Sequence, residues 1–106
     1  MFQVFDKGYQ LTFANGLLLS VMFGRGNHCA NRGLEIPGTN LACDNAEFAV
    51  YRLSQKDPIF ADGFYDNGLS GWVSPEQVAR VTAIVAAHDE KIGDVELRKK
   101  LRAALV

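Results

Sequence analysis

Residues 8–23, with the sequence GYQLTFANGLLLSVMF, contain the pattern that decides the fold. Tyr9 to Phe13 alternates apolar with polar side chains, and Leu17 to Phe23 is an apolar, partly β-branched run; both patterns are typical of strands. Between them stands Asn15-Gly16, a dipeptide that supplies positive φ at both centres of a two-residue hairpin turn. We therefore predict an antiparallel hairpin, preceded by a further strand from Phe2 to Phe5.

The second strand of this hairpin is apolar on both of its faces. Alternate residues of a strand point to opposite faces. One set is Leu17, Leu19, Val21 and Phe23, and the other is Leu18, Ser20 and Met22. Because one helix covers only one face, the other face needs a partner subunit or a folded loop. We predict a homo-oligomer, most simply a dimer, and keep a loop folded across that face as the alternative.

A helix is predicted over about residues 75–91. Ser74 and Gln77 form a capping box, and Pro75 suits the first helical position. An apolar stripe follows at spacings of three and four residues: Val78, Val81, Ile84, Val85 and His88. Such a stripe is typical of a helix with one face on a core. Trp72, just before the cap, is expected to pack on this helix as a hydrophobic staple, with a stacking platform as the alternative.

A second, shorter helix is predicted over residues 95–105. Gly93 is expected to stop the first helix, and Asp94 is expected to cap the second. The basic residues of this segment are Arg98, Lys99, Lys100 and Arg102. They follow an acidic first turn, as the helix dipole favours. We interpret them as a solvated helix face, with a phosphate-binding patch as the alternative.

The order of these elements predicts an α+β fold in a single domain of 106 residues. A further strand is expected from Ala46 to Ser54, where apolar residues alternate again. The expected architecture is a small antiparallel sheet within residues 2–73, interrupted by a long loop over residues 24–45. One amphipathic helix packs on the sheet, and the short C-terminal helix follows.

The charge balance argues against two classes of partner. Eleven Lys and Arg against twelve Asp and Glu give a net charge of −1. Because duplex-binding proteins carry a basic surplus, we expect no nucleic-acid partner. No apolar run approaches the roughly 20 residues of a membrane helix, and the first residues lack the apolar stretch of a signal peptide. We therefore expect a cytoplasmic protein without a membrane partner.

The cysteines predict neither a metal site nor a cofactor. Cys29 and Cys43 are the two cysteines, and they are not arranged as a Cys-x-x-Cys pair. With His28 and the distant His88 they are the whole supply of soft ligands, which is too scattered for a zinc site. In a reducing compartment both thiols are expected to be free.

The long loop over residues 24–45 is the predicted binding site. Structureless loops beyond about 15 residues are uncommon in compact domains and are usually functional or disordered. Glycines beside a cation can present backbone amides to an anion, and Arg binds phosphate or carboxylate through two parallel donors. The candidate ligand-binding residues are Arg25, Asn27, His28, Asn31, Arg32 and Asp44. The alternative is that these polar groups tie the loop down through side-chain to backbone bonds.

No catalytic group is predicted. His28 would need an orienting partner and a substrate position to act as a general base. Cys29 follows it directly, and neighbouring residues of an extended segment point apart. A Cys–His pair would therefore need Cys43 or proximity created by folding. We predict a protein that is not an enzyme and keep a small hydrolase as an alternative.

The order of features resembles a group of small phage-encoded proteins, mostly of unassigned function. The shared segments in this sequence are Asn15-Gly16, Ser20-Val21, the Gly-x-Gly-Asn-x-Cys-x-Asn-Arg run of residues 24–32, Ala46 to Val50, and Gly71 to Val78. The resemblance covers residues 8–87. The same strand–loop–strand–helix layout is also similar to Thoeris anti-defence sponges.

These resemblances imply a function. Thoeris sponges are oligomeric phage proteins that sequester cyclic ADP-ribose-type signals without cleaving them. The resemblance therefore implies an anti-defence protein that holds a small anionic nucleotide-like ligand in the host cytoplasm. The alternative is a protein-interaction inhibitor, similar to an anti-CRISPR or another blocker of a host protein, with no small-molecule ligand.

Overall fold

The computed structural model describes residues 1–34, 41–55, 57–59 and 69–106. These residues form six strands and two helices. The strands are β1 (Phe2–Phe5), β2 (Gly8–Thr12), β3 (Leu17–Met22), β4 (Ala46–Arg52), β5 (Pro58–Ile59) and β6 (Ser70–Val73), and the helices are α1 (Pro75–Ala87) and α2 (Asp94–Ala104). The predicted α+β class is confirmed.

The strands form one antiparallel sheet in the order β1-β2-β3-β4-β5, and β6 also pairs with β4. β5 and β6 share one edge of β4, because Val50 pairs with Ile59 whereas Ala46 pairs with Val73. α1 packs on β3 and β4 and against α2. Every residue of β1 is exposed, so the helices cover the centre of the sheet and leave its first strand open.

The core lies between the helices and one face of β3–β4, which we call the helix-side face. It carries Leu17, Leu19 and Val21 of β3 with Phe48 and Val50 of β4. Val81 and Val85 of α1 and Leu97 and Leu101 of α2 close it, and all four are fully buried. Burying one such side chain contributes roughly 1.5–3 kcal/mol. Leu17, Leu19 and Val21 belong to the first of the two sets of alternating residues predicted for this strand, and they lie in the core.

The opposite face of β3–β4, which we call the far face, carries the second set. Leu18, Ser20 and Met22 lie opposite Tyr51, Ala49 and Glu47. Glu47 and Ala49 are buried, and the three β3 residues are half-buried. A loop covers the Glu47 end of this face, as described below. A loop folded across this face was the predicted alternative to a partner subunit. The homo-oligomer stays a prediction.

The hairpin turn differs in type from the predicted one. Phe13 N donates to Leu17 O at 2.9 Å and Gly16 N donates to Phe13 O at 3.1 Å, so three residues form the loop. Gly16 has a φ of 83°, whereas Asn15 has none in the positive range. This is the three-residue hairpin that ends with a glycine in the left-handed region. The prediction of positive φ at both positions was wrong.

The Asn15 side chain also bonds to the end of α1. Its Nδ2 donates to Val85 O at 2.8 Å and to His88 O at 3.0 Å. The hairpin thus supplies a side-chain donor to two carbonyls at the helix end, of which Val85 O also accepts from His88 N at 3.3 Å. α1 ends at Ala87, four residues before the predicted end at residue 91.

The start of α1 is as predicted and the start of α2 is not. Ser74 Oγ accepts from Gln77 N and Gln77 Oε1 accepts from Ser74 N, which is the predicted capping box. At α2 the N-cap is Gly93, and no side chain caps the helix. Asp94 instead forms an ion pair with Arg52 of β4. It is the first helical residue, and it ties α2 to the sheet.

Candidate functional site

Residues 24–34 form a folded loop at the end of β3. Gly26 N donates to Arg32 O at 3.0 Å, and Arg32 Nη1 donates back to Gly26 O at 3.2 Å. Cys29 lies inside the loop and is 1% exposed. Residues 35–40 of the predicted loop lie outside the described residues, and residues 41–45 lead into β4.

Glu47 anchors this loop to the far face of the sheet. Its Oε2 accepts from His28 N at 2.7 Å and lies 2.5 Å from His28 Nδ1. Its Oε1 accepts from Asn27 Nδ2 at 3.4 Å. Glu47 is only 8% exposed, so these bonds stabilise a carboxylate that burial alone would make costly. Glu47 was not among the predicted site residues; a carboxylate in an otherwise apolar strand is the signal that could have indicated it.

The asparagines predicted to bind a ligand bond to the loop itself. Asn27 Oδ1 accepts from Gly24 N at 3.1 Å. Asn31 Nδ2 donates to Phe23 O and to Ala42 O, both at 2.8 Å. Asn45 Oδ1 accepts from Ala30 N at 2.7 Å. These contacts correspond to the alternative drawn from the sequence, in which polar side chains tie the loop down, and ligand contacts from Asn27 and Asn31 stay a prediction.

Two cations line one cavity beside the loop, which we call the loop cavity. Its volume is about 420 Å³. Its lining residues are Asp6, Lys7, Gly24, Arg25, Gly26, Leu34 and Leu41. Of the predicted ligand-binding residues, Arg25 is in this lining. Arg32 and Asp44 are exposed but lie outside it. His28 and Asn27 contact Glu47, and Asn31 bonds to backbone carbonyls on either side of the loop.

Lys7 is the cation that the sequence analysis missed. It lies in the turn between β1 and β2, and its carbonyl accepts from Phe23 N at 2.8 Å. A Cβ on Gly24 would lie 2.7 Å from Lys7 Cγ, so the glycine lets the lysine stem lie against the loop. Three consecutive antiparallel strands bring the first turn beside the end of the third strand. The order of the first three strands was therefore the feature of the sequence that could have indicated Lys7.

The Trp72 ring lies beside the loop. It meets the His28 ring edge-on at a centroid distance of 5.7 Å, and the backbone N–H of Trp72 donates to the backbone carbonyl of His28 at 2.7 Å. Trp72 is 47% exposed and has a φ of 49°, which is rare for a bulky residue. The predicted staple was assigned to the wrong residue: Val73, directly before the cap, is 3% exposed and packs in the core with Val78.

Both cysteines are free thiols. Burial raises the pKa of the Cys29 thiol above its ordinary 9.0, and the nearby Cys43 and Glu47 act in the same direction. A raised pKa keeps Cys29 protonated and a poor nucleophile at neutral pH. Within the described residues, no group of three or more His, Cys, Asp or Glu side chains is placed to hold a metal ion.

A second, apolar cavity lies between α1 and the sheet. Its volume is about 500 Å³. It is lined mainly by Tyr9, Val21, Phe23, Val73, Val78 and Ala79. We call it the helix groove. None of its lining residues in the described part of the chain is Lys, Arg, Asp or Glu, so its chemistry differs from that of the loop cavity.

Comparison with protein-family models, with curated protein sequences and with solved structures finds no match for this chain. In the described part of the chain, no helix is long and apolar enough to cross a membrane.

Proposed function

We propose that the protein binds a small anionic, nucleotide-like molecule in the loop cavity and holds it without cleaving it. The observation that carries the proposal is that two cations line the same cavity: Lys7 from the turn between β1 and β2, and Arg25 from the loop that Glu47 anchors. A volume of about 420 Å³ lies within the range of roughly 300–1,000 Å³ found for small-molecule sites.

The lining residues supply complementary contacts for such a ligand. The Lys7 ammonium acts as a point charge toward a phosphate, and the Arg25 guanidinium offers parallel donors. The Asp6 carboxylate in the same wall can accept from ribose hydroxyls. Leu34 and Leu41 provide an apolar wall for the flat side of a base.

Sequestration needs affinity and no turnover. The loop bonds are formed within the protein itself, so binding requires little ordering of the chain, which favours affinity. In this proposal Glu47 holds His28 as part of the loop, and no residue acts on the ligand. Together with the resemblance to phage-encoded sponges, this supports an anti-defence role in which a host signal is removed from solution.

Binding can be tested by thermal shift and calorimetry with ADP-ribose and cyclic ADP-ribose as probes. At a ligand concentration of 100 times Kd, binding stabilises the folded state by about 2.7 kcal/mol. We expect a shift of several degrees at about 1 mM probe for a Kd near 10 μM. Mass spectrometry should recover the probe unchanged after incubation, whereas a cleaved probe would contradict sequestration.

A charge-matched pair of variants makes this test specific. Lys7→Ala with Arg25→Ala removes two cations from the loop cavity and should abolish the shift. Lys91→Ala with Lys100→Ala removes two exposed cations elsewhere and should leave it unchanged. Equal shifts in both double variants, or no shift of the unmodified protein at about 1 mM, would contradict the proposed site.

A second candidate is a protein-interaction inhibitor, and the helix groove favours it. An apolar groove beside a helix is a common docking site for a partner segment. Native mass spectrometry of protein isolated from cells separates the two candidates. A small anionic adduct that is lost with Lys7→Ala and Arg25→Ala supports sequestration. A protein that is isolated in a fixed ratio with the unmodified chain, but not with the Ala79→Arg variant, supports the protein-interaction inhibitor.

A further inference from the structure

We infer that β1 is a self-pairing edge, through which two copies of this chain form a twofold-symmetric dimer with a continuous sheet. The partner that pairs with this edge is a second copy of the chain. The inference does not depend on the proposed ligand.

β1 is an open edge with apolar side chains. β2 is its partner on one side, and no described residue pairs with its outer side. Phe2 is 87% exposed and Val4 is 84% exposed. Exposed edges in natural sheets are usually protected by charges, prolines or bulges. Residues 2–5 read FQVF and contain none of these protections.

The backbone shows which groups β1 offers. Met1 N donates to Thr12 O and Thr12 N donates to Met1 O, so this pair is hydrogen-bonded. Bonded and non-bonded pairs alternate along antiparallel strands. In the observed register Gln3 then bonds to Gln10, whereas Phe2 and Val4 are in non-bonded pairs. The N–H and C=O groups of Phe2 and Val4 therefore point to the outer edge.

Twofold symmetry selects one register for these groups. Residues directly opposite each other must share a face of the sheet, so a register centred on Gln3 places Phe2 opposite Val4 of the second copy. Both residues have outward-pointing backbone groups, and each such pair exchanges both N–H···O bonds. The two Gln3 residues face each other as the non-bonded pair between them. β1 is thus complementary to itself.

The side chains agree with this register. Phe2 and Val4 lie opposite Leu11 and Tyr9, which places them on the helix-side face of the sheet. An aromatic residue opposite a β-branched residue is a favourable cross-strand pair. The strand carries no charge, so the symmetric pairing brings no like charges together.

The area predicts a weak dimer. One Phe side chain buries about 150–250 Å². Two copies each of Phe2 and Val4, with the backbone, reach roughly half of the 1,600 Å² of a standard interface. We expect a dissociation constant on the order of 10–100 μM, and no growth beyond the dimer because the pairing uses up the edge.

Analytical ultracentrifugation from about 1 μM to about 1 mM tests the inference. The expected average mass rises from that of the 11.6-kDa chain toward twice that value. Val4→Lys should keep the protein monomeric across this range. Val95→Lys, on an exposed valine of α2, is the matched control and should dimerise like the unmodified chain.

A second variant, which changes the backbone, tests whether a loss of the dimer could result from misfolding. Val4→Pro removes an outward N–H that β2 does not use, so the fold should be retained and the dissociation constant should rise at least about tenfold. Circular dichroism and thermal unfolding check the fold. A monomer at about 1 mM, a dimer that Val4→Lys and Val4→Pro leave intact, a dimer broken by Val95→Lys, or assembly beyond two copies would overturn the inference.

Discussion

The two faces of the β3–β4 pair are closed by different kinds of interaction. On the helix-side face, Leu19 and Phe48 lie under two helices, and the interface consists of apolar side chains. On the far face, Glu47 accepts bonds from Asn27 and His28, so a polar loop covers its end of the sheet. The first closure is spread over apolar contacts, and the second consists of directional hydrogen bonds in which one buried carboxylate takes part.

This difference separates stability from the shape of the site. Apolar packing is non-directional and scales with buried area, so it holds the helices without fixing one particular bond. Hydrogen bonds to a buried carboxylate are directional, and they fix the loop that lines the loop cavity. Substitutions on the helix-side face should therefore change the stability of the whole fold, and substitutions around Glu47 should change the loop more than the fold.

Phe48→Ala should have the largest effect on stability. Phe48 is 1% exposed and lies at the centre of the helix-side face. Removing a buried aromatic ring loses transfer free energy and leaves a cavity, and it typically costs about 3–5 kcal/mol. Urea unfolding followed by circular dichroism measures the change. A loss below about 1 kcal/mol would show that this face is not the main core.

Glu47→Gln should have an intermediate effect that is confined mainly to the loop. The variant keeps the shape but removes the charge and places an amide donor near His28 N. Losing such a buried, charge-assisted contact costs about 1–3 kcal/mol. The opened loop should expose Cys29, whose burial and raised pKa otherwise make it slow to alkylate. Mass spectrometry of iodoacetamide-treated protein measures the rate at each cysteine.

The control for this prediction is Glu96→Gln on α2. Glu96 is exposed and is paired with Lys99 at 3.4 Å, in a surface ion pair that contributes little to stability. It should change neither the stability nor the Cys29 rate. If Glu47→Gln also leaves the Cys29 rate unchanged, the carboxylate does not hold the loop.

The sequence was sufficient for features that depend on local chemistry. The capping box of Ser74 and Gln77 and the alternation of β3 were both predictable, because they rest on short-range bonding and a period of two. The candidate site was less predictable. Arg25 was identified by its residue type and its glycine neighbours. Lys7 lines the cavity because of the order of the strands in the sheet, and no local sequence pattern predicts that order.

Long-range polar contacts account for the remaining differences. Asn15 was read as a turn residue, and its bonds to the end of α1 join residues 70 and 73 positions apart. Asp94 was read as a helix cap, and it pairs with Arg52 of β4. A polar side chain has several possible partners in a sequence, and only the tertiary fold selects one.

Asn15→Ala should have a smaller effect than Glu47→Gln. The variant loses the bonds of Nδ2 to two carbonyls of α1 and the bond from Leu17 N to Oδ1 at 3.1 Å. We expect a loss of about 1 kcal/mol, as for other caps, because water can reach this helix end. Thermal unfolding measures it. The Cys29 alkylation rate should not change, and a faster rate would contradict the independence of the two faces.

The smallest effect expected is a loss of stability at high pH from two tyrosines on opposite faces. Burial raises the pKa of Tyr9 above 10.0, and burial together with the Glu47 charge raises that of Tyr51. A folded-state pKa above the unfolded value means that the unfolded chain loses its proton first. The stabilisation is therefore complete below about pH 10 and is lost as the pH rises through the folded pKa values.

The Glu47 charge raises the pKa of Tyr51 but is not a cause of the raised pKa of Tyr9. A tyrosine titration therefore tests whether Glu47 acts on the far face alone. Ultraviolet absorbance follows tyrosinate formation, and Tyr9→Phe and Tyr51→Phe assign each transition. Glu47→Gln removes the charge that raises the pKa of Tyr51, so the Tyr51 transition should move to lower pH. The Tyr9 transition should stay in place, because burial alone accounts for its raised pKa. A shift of both transitions would mean that the carboxylate acts through the whole sheet and not only on the far face.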